Sequence, residues 1–226
     1  TLTTAAEWLN ISRDFETTWN ASNVIGALDG KHIVFRAPRA EGSTYFNYKS
    51  THIIVLLALV DANYNFIYVD VGVNGRVSDG GVYRQSNLAK ALAQNLLNIP
   101  EHKCLPQRQM LVPHVILVDG AFPLSDHILK PYPFRDMTDD QRIFNYRLSR
   151  DRVQCITLAC CTLHNFLRAE NPSYLHEDEI DNTYVFKFGL SQQIGNRAKQ
   201  ACISVRDEFK NYFCNEGSIP WQHNNV

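Results

Sequence analysis

The chain has 226 residues, 45% of them hydrophobic and 20% charged, which suits one large domain or two small ones and excludes wholesale disorder. A formal net charge of -1 excludes binding to nucleic acid through overall charge, while a local basic face stays open. The longest apolar run, Ile53 to Val60, is too short to cross a bilayer, and no hydrophobic leader opens the sequence.

In chain order, Trp8, Ile11, Phe15 and Trp19 recur at spacings of three and four and predict a short helix within residues 1–23. Val24 to Phe35 reads as a strand that carries an aspartate among apolar residues, and 38–50 as a loop. His52 to Val60 and Phe66 to Val73 form a hairpin about the turn residues 61–65, and their unbroken apolar character predicts that both faces are covered. Ser78-Asp79 looks like the start of one helix through Val82, Leu88, Leu92 and Leu96, with Asp79 as its cap or, alternatively, in a role near bound metal ions. Residues 100–113 connect to a short buried strand, Val115 to Val118, which runs straight into Asp119-Gly120. A proline-rich loop or broken helix follows, then a helical pattern from Thr138 to about Arg168. Five carboxylates between Glu170 and Asp181 make an acidic loop, before a strand-like stretch from Tyr184 to Phe188 and a last helix from about Ser191 to Phe213. This order predicts an α/β fold, a mixed sheet flanked by helices; it fits the ribonuclease H-like kind, which periodicity alone does not distinguish from other α/β folds. The expected organisation is a helical lead-in over 1–23, the sheet domain over 24–168, and the acidic loop and final helix over 169–226. The methionines are Met110 and Met137 while Thr1 opens the chain, so a longer product is expected.

The six cysteines lack any C-x-x-C pair, and several lie in apolar helical text, which indicates reduced thiols. Cys160, Cys161 and His164 have the spacing of a metal half-site, but no second cluster completes a zinc set of about four ligands. Small core side chains on a helix are the simpler account. The sequence also lacks a G-x-S-x-G elbow, a Walker loop and a dinucleotide fingerprint, so no small-molecule cofactor is expected.

Asp29 and Asp119 each follow a buried strand. A carboxylate there is costly unless it is paired, hydrogen-bonded or bound to a metal. If the two strands are neighbours in one sheet, the carboxylates converge at one end and form a pair of hard oxygen donors suited to Mg²⁺ or Mn²⁺. The alternative is that each Asp-Gly is a turn capped by its aspartate.

Several blocks of this sequence resemble the PIF/Harbinger transposases and the nucleases derived from them. These are residues 26–33 (GALDGKHI), 45–49 (YFNYK), 60–63 (VDAN), 75–82 (GRVSDGGV), 118–124 (VDGAFPL), 144–150 (FNYRLSR) and 158–167 (LACCTLHNFL), in order over roughly residues 8 to 170. The resemblance implies a DDE-type ribonuclease H-like domain whose three acids hold two divalent ions, Mg²⁺ or Mn²⁺, for hydrolysis and strand transfer at DNA phosphodiester bonds. It implies Asp29 as the first acid and Asp119 as the second, both catalytic and metal-binding. It further implies DNA as partner, a Myb-like accessory protein, and a location in the nucleus with the cytoplasm as a second compartment.

The third acid should be a glutamate shortly after Arg147-Leu148-Ser149-Arg150. Instead Arg150-Asp151-Arg152 passes directly to Val153-Gln154-Cys155, joining two blocks that should lie well apart. The fold is therefore expected to be truncated by an internal gap near Arg152-Val153, and catalysis to be impaired. Asp151, five residues before the expected glutamate, would point some 140° from the right helix face. Asp139 and Asp140 lie farther upstream. Lys31, Arg36, Arg39 and Lys49 form one basic group, and Arg142, Arg147, Arg150 and Arg152 a second. Of these, Lys31, Arg36, Lys49, Arg147 and Arg150 are the candidate phosphate contacts. Tyr45, Phe46 and Tyr48 are candidates for stacking on unpaired bases, with core packing as the alternative. His32 is a candidate to face DNA or the site, with a packed or surface histidine as the alternative. Two functions follow: a transposase-derived metal nuclease, impaired in this chain, or a catalytically dead DNA- or chromatin-associated protein that keeps the fold for its surfaces.

Overall fold

A computed structural model describes residues 4–35, 52–74, 78–148 and 198–225. Helix α1 (Ala5–Trp19) opens at Thr4, which forms a capping box with Glu7, and closes at Asn20 in the left-handed conformation. Its stripe behaves as the spacing predicts: Trp8, Ile11 and Phe15 are buried. Trp8 Nε1 donates to the carbonyl of Leu97 at 2.7 Å, and Trp19 Nε1 to that of Ala62 at 3.2 Å.

Strands β1 (Val24–Phe35), β2 (His52–Val60) and β3 (Phe66–Asn74) form an antiparallel meander, of which the β2–β3 hairpin is the part the sequence predicts. The prediction of two covered faces holds for the buried stretch 57–60 of β2 and fails for β3. Among the described residues strand β3 is the sheet edge, and Val69 and Val71 project 47% and 54% exposed from one face of it. The single helix expected after Ser78 is two short ones, α2 (Asp79–Gln85) and α3 (Asn87–Ala93). Ser86 adopts an extended backbone between them and its hydroxyl accepts from Ala89 N–H, so it ends one helix and caps the next. Leu96 lies beyond α3 and is exposed. Asp79 is not the cap either: Ser78 holds that position and Asp79 is the first helical residue.

The connection expected over 100–113 contains a small hairpin, β4 (Lys103–Cys104) with β5 (Leu111–Val112). Strand β6 (Val115–Leu117) is fully buried, as predicted. The proline-rich stretch holds a further strand, β7 (Ile128–Leu129). Among the described residues these strands build a five-stranded sheet in the order β3-β2-β1-β6-β7, with β1, β6 and β7 parallel to one another. Residues 139–148 are helical (α4), and α5 runs over Gln200–Cys214, starting later than the pattern from Ser191 suggests. The helical pattern from 149 to 168, the acidic loop, the 184–188 stretch and the junction at Arg152-Val153 lie outside the described residues.

One core joins α1 (Trp8, Phe15), the central strands, and Phe144, Phe209 and Phe213 of α4 and α5. Each such large apolar side chain contributes about 1.5–3 kcal/mol when buried. The expected architecture of a mixed sheet flanked by helices is the one observed, and α1 and α5 are integral to its core rather than appended to it.

Candidate active site

Strands β1 and β6 are neighbours and run parallel, with Gly26 facing Ile116 and Ala27 facing Leu117. Asp29 and Asp119 each lie two residues beyond that last pair. Asp29 is still within β1, where alternation puts it on the face of Ala27, and Asp119 follows β6 by two residues, so both stand at one end of the β1–β6 pair. This is the carboxyl end of the parallel half of the sheet, where open α/β sheets bind ligands. Both aspartates are half-buried.

The two aspartates are held differently. Asp29 is no turn residue: β1 continues past it to Phe35 while pairing with β2, Asp29 opposite Ala58. Asp119 does form the turn that its Asp-Gly pair suggests, with Oδ1 accepting the Ala121 N–H at 2.8 Å. Helix α2 wedges between these two segments. A Cβ on Gly30 would stand 2.2 Å from Asp79 Oδ1, and a Cβ on Gly80 would stand 2.2 Å from the carbonyl oxygen of Ala121. Glycine at both positions lets the start of α2 touch β1 and the Asp119 turn together.

The third parallel strand adds a cation that sequence reasoning missed. Lys130, directly after β7, donates from Nζ to the carbonyl oxygens of Gly120 and Phe122, each at 2.7 Å. Burial pushes its pKa down, as does the charge of Arg206, against an opposing pull from Asp119. A lysine that grips backbone carbonyls carries no motif. The signal available was its position at the end of an apolar Ile128-Leu129 pair shortly after Asp119.

Lys31 stands two residues after Asp29 on the same face of β1 and is half-buried. Arg147 requires correction as a phosphate contact. It is 0% exposed, donates to the carbonyl of Asn20 at 3.1 Å, and places its guanidinium 4.9 Å from the Phe213 ring and 5.7 Å from that of Trp221. It joins the end of α1 to α4, α5 and the final turn, out of reach of a phosphate. Arg142 is exposed and paired with Asp139 at 2.7 Å, so both are engaged on the first turn of α4. Arg36, Lys49, Arg150, Asp151, the Cys160-Cys161-His164 group and the aromatics at 45, 46 and 48 lie outside the described residues.

Two carboxylates at one sheet end fit a divalent ion as hard oxygen donors, with water completing the shell. Among the described residues no three His, Cys, Asp or Glu side chains come close enough to share an ion. No helix among them is long and apolar enough to cross a membrane.

The sheet order and its flanking helices place the protein in the ribonuclease H-like α/β class. Comparison with known proteins narrows this. The chain belongs to the DDE superfamily endonuclease family, whose model matches residues 28–157, more than half of the chain and both aspartates. It is 24% identical to Protein ALP1-like of Arabidopsis thaliana across 92% of this chain and 58% of that protein. It is 24% identical to HARBI1 of Xenopus laevis across 67% of this chain and 48% of that protein. The chain thus spans about half the length of these curated relatives. No solved structure matches it.

Proposed function

We propose that this chain is a Harbinger-type, transposase-derived nuclease domain that acts on DNA phosphodiester bonds with Mg²⁺ or Mn²⁺ held by Asp29 and Asp119. The observation that carries the reading is the parallel β1–β6 pair, which brings two aspartates 90 residues apart in sequence to one sheet end. An ion there would supply charge stabilisation to a phosphodiester undergoing substitution. The residues present do the rest: Asp29, fixed by the sheet ladder, and Asp119, fixed by its turn, supply the ligand oxygens. Lys31, on the same face of β1 as Asp29, would attract the DNA backbone. A nuclear location and a Myb-like accessory protein belong to the same proposal and rest on the Harbinger resemblance.

The proposal includes impaired catalysis, because the sequence runs from Arg150 to Val153 without the third acid. Losing one ligand of a two-metal site removes orders of magnitude in rate. Two measurements test this. Mn²⁺ should raise the melting temperature of the chain, and the rise should vanish in Asp29→Ala; no rise in the parent chain rejects the metal site and favours a role in binding alone. Supercoiled plasmid with Mn²⁺ should show little nicking. Vigorous nicking that disappears in Asp119→Asn would reject the impairment.

A further inference from the structure

We propose that Lys130 is a positioning residue for Asp119: by holding the Gly120 and Phe122 carbonyls, it fixes the turn that aims the Asp119 carboxylate. The inference rests on the reading of Asp119 as a metal ligand and adds a device that sets its aim.

The turn needs such a device. Strand β6 ends at Leu117, and the backbone bond that closes the turn, from Phe122 N–H to the Asp119 carbonyl, is long at 3.4 Å. On one side the turn has no packing support, since a Cβ added at Gly120 would meet no atom within 4 Å. The side-chain bond from Asp119 Oδ1 to Ala121 N–H orients the carboxylate only if the peptide at Ala121 is itself held. Lys130 grips the carbonyl of that same Gly120–Ala121 peptide and the Phe122 carbonyl beyond it with two short bonds from one charged donor, of the kind about twice as strong as neutral ones. Its own backbone is anchored through the adjacent strand: Leu117 faces Leu129, and Val118 N–H donates to the Leu129 carbonyl at 3.1 Å. Strand β7, only two residues long, therefore delivers an ammonium group to the turn that carries the second acid.

The sign of the effect separates positioning from simple electrostatics. Removing a cation near an anionic site should strengthen metal binding by Coulomb's law alone. Removing a brace should weaken it, because groups that orient metal ligands are worth about 10- to 100-fold in affinity. The experiment compares the full chain with Lys130→Met, which keeps the stem and loses the charge, and Lys130→Arg, which keeps the donors. Mn²⁺ affinity is read by electron paramagnetic resonance and exchange of the Ala121 amide by hydrogen–deuterium exchange without metal. In Lys130→Met the expected results are about tenfold weaker Mn²⁺ binding and faster Ala121 exchange, with Lys130→Arg restoring most of both. Unchanged Ala121 exchange, or tighter Mn²⁺ binding in Lys130→Met, overturns the inference. If the parent chain binds no Mn²⁺ while Lys130→Met still speeds Ala121 exchange, the metal reading fails and the brace on the turn stands.

Discussion

The two aspartates reach the same end of the sheet by different physics. Asp29 sits inside a twelve-residue strand, where backbone pairing with β2 fixes residues on both sides of it. Asp119 stands past the end of a three-residue strand, in a turn held by its bond to Ala121, the close approach of Gly80, the grip of Lys130 and the burial of Ala121 and Phe122 in the core. A ladder is cooperative and tolerates the loss of any one bond, whereas a braced turn depends on each contact. Substitutions near Asp119 should therefore alter the site while leaving most of the fold, and those near Asp29 should act through the sheet.

The contrast can be broken most forcefully at Gly80. In Gly80→Ala the new Cβ would meet the Ala121 carbonyl oxygen at 2.2 Å, and backbone yields less readily than a flexible side chain. Urea unfolding should show a loss of about 3 kcal/mol, at the upper end of ordinary overpacking; a loss below about 1 kcal/mol would mean that the turn is soft. A smaller effect is expected at the opposite end of β6, where His114 is buried and receives the His127 Nδ1–H on its carbonyl at 2.8 Å. Burial, reinforced by Lys103, holds the His114 pKa below its ordinary value of 6.5 despite backbone bonds near Pro100 and Glu101 that oppose the shift. The unfolded chain then binds more protons than the folded one between the two pKa values. The stabilisation is complete above the unfolded value near 6.5 and is lost as pH falls from there through the folded value. Unfolding measured from pH 7.5 to 5 should show that loss, and His114→Gln should flatten it. The least effect belongs to Gly120→Ala, where nothing lies within 4 Å of the new Cβ. Its stability should stay within about 0.5 kcal/mol, so a large loss there would show that the turn is packed rather than braced.

How much was legible in the sequence follows from what each element depends on. The bounds of β1 and β2 were readable because β-branched runs end at clear turn residues, and α1 because its stripe is complete. The exposure of β3 was not: Val69 and Val71 are as apolar as buried valines, and only the strand order shows that they lie on an edge. Ser86 passes for a helix-interior residue until its hydroxyl is seen capping α3. Strand β7 is too short for any period to register. Arg147 looked like part of a basic cluster because its aromatic partners, Phe213 and Trp221, lie more than sixty residues downstream. At the site, the aspartates were visible from their apolar context, and their convergence depended on a strand pairing that the sequence could state only as a condition.

The strand order also bears on how the protein is made. The β1–β2–β3 meander pairs segments joined by connections of 16 and 5 residues, whereas β6 must find β1 across roughly 90 residues of chain. Closing a loop that long costs about 2 kcal/mol more entropy than closing one of half a dozen residues, and such distant pairings slow folding. The meander, with Asp29 already in place, is thus expected to form first, and Asp119 to join only when the parallel half of the sheet docks. An arrested or early-released chain would carry one acid on a folded hairpin and no second, so metal-binding capacity would appear late in refolding, in step with the docking of β6 rather than with the first gain of β structure.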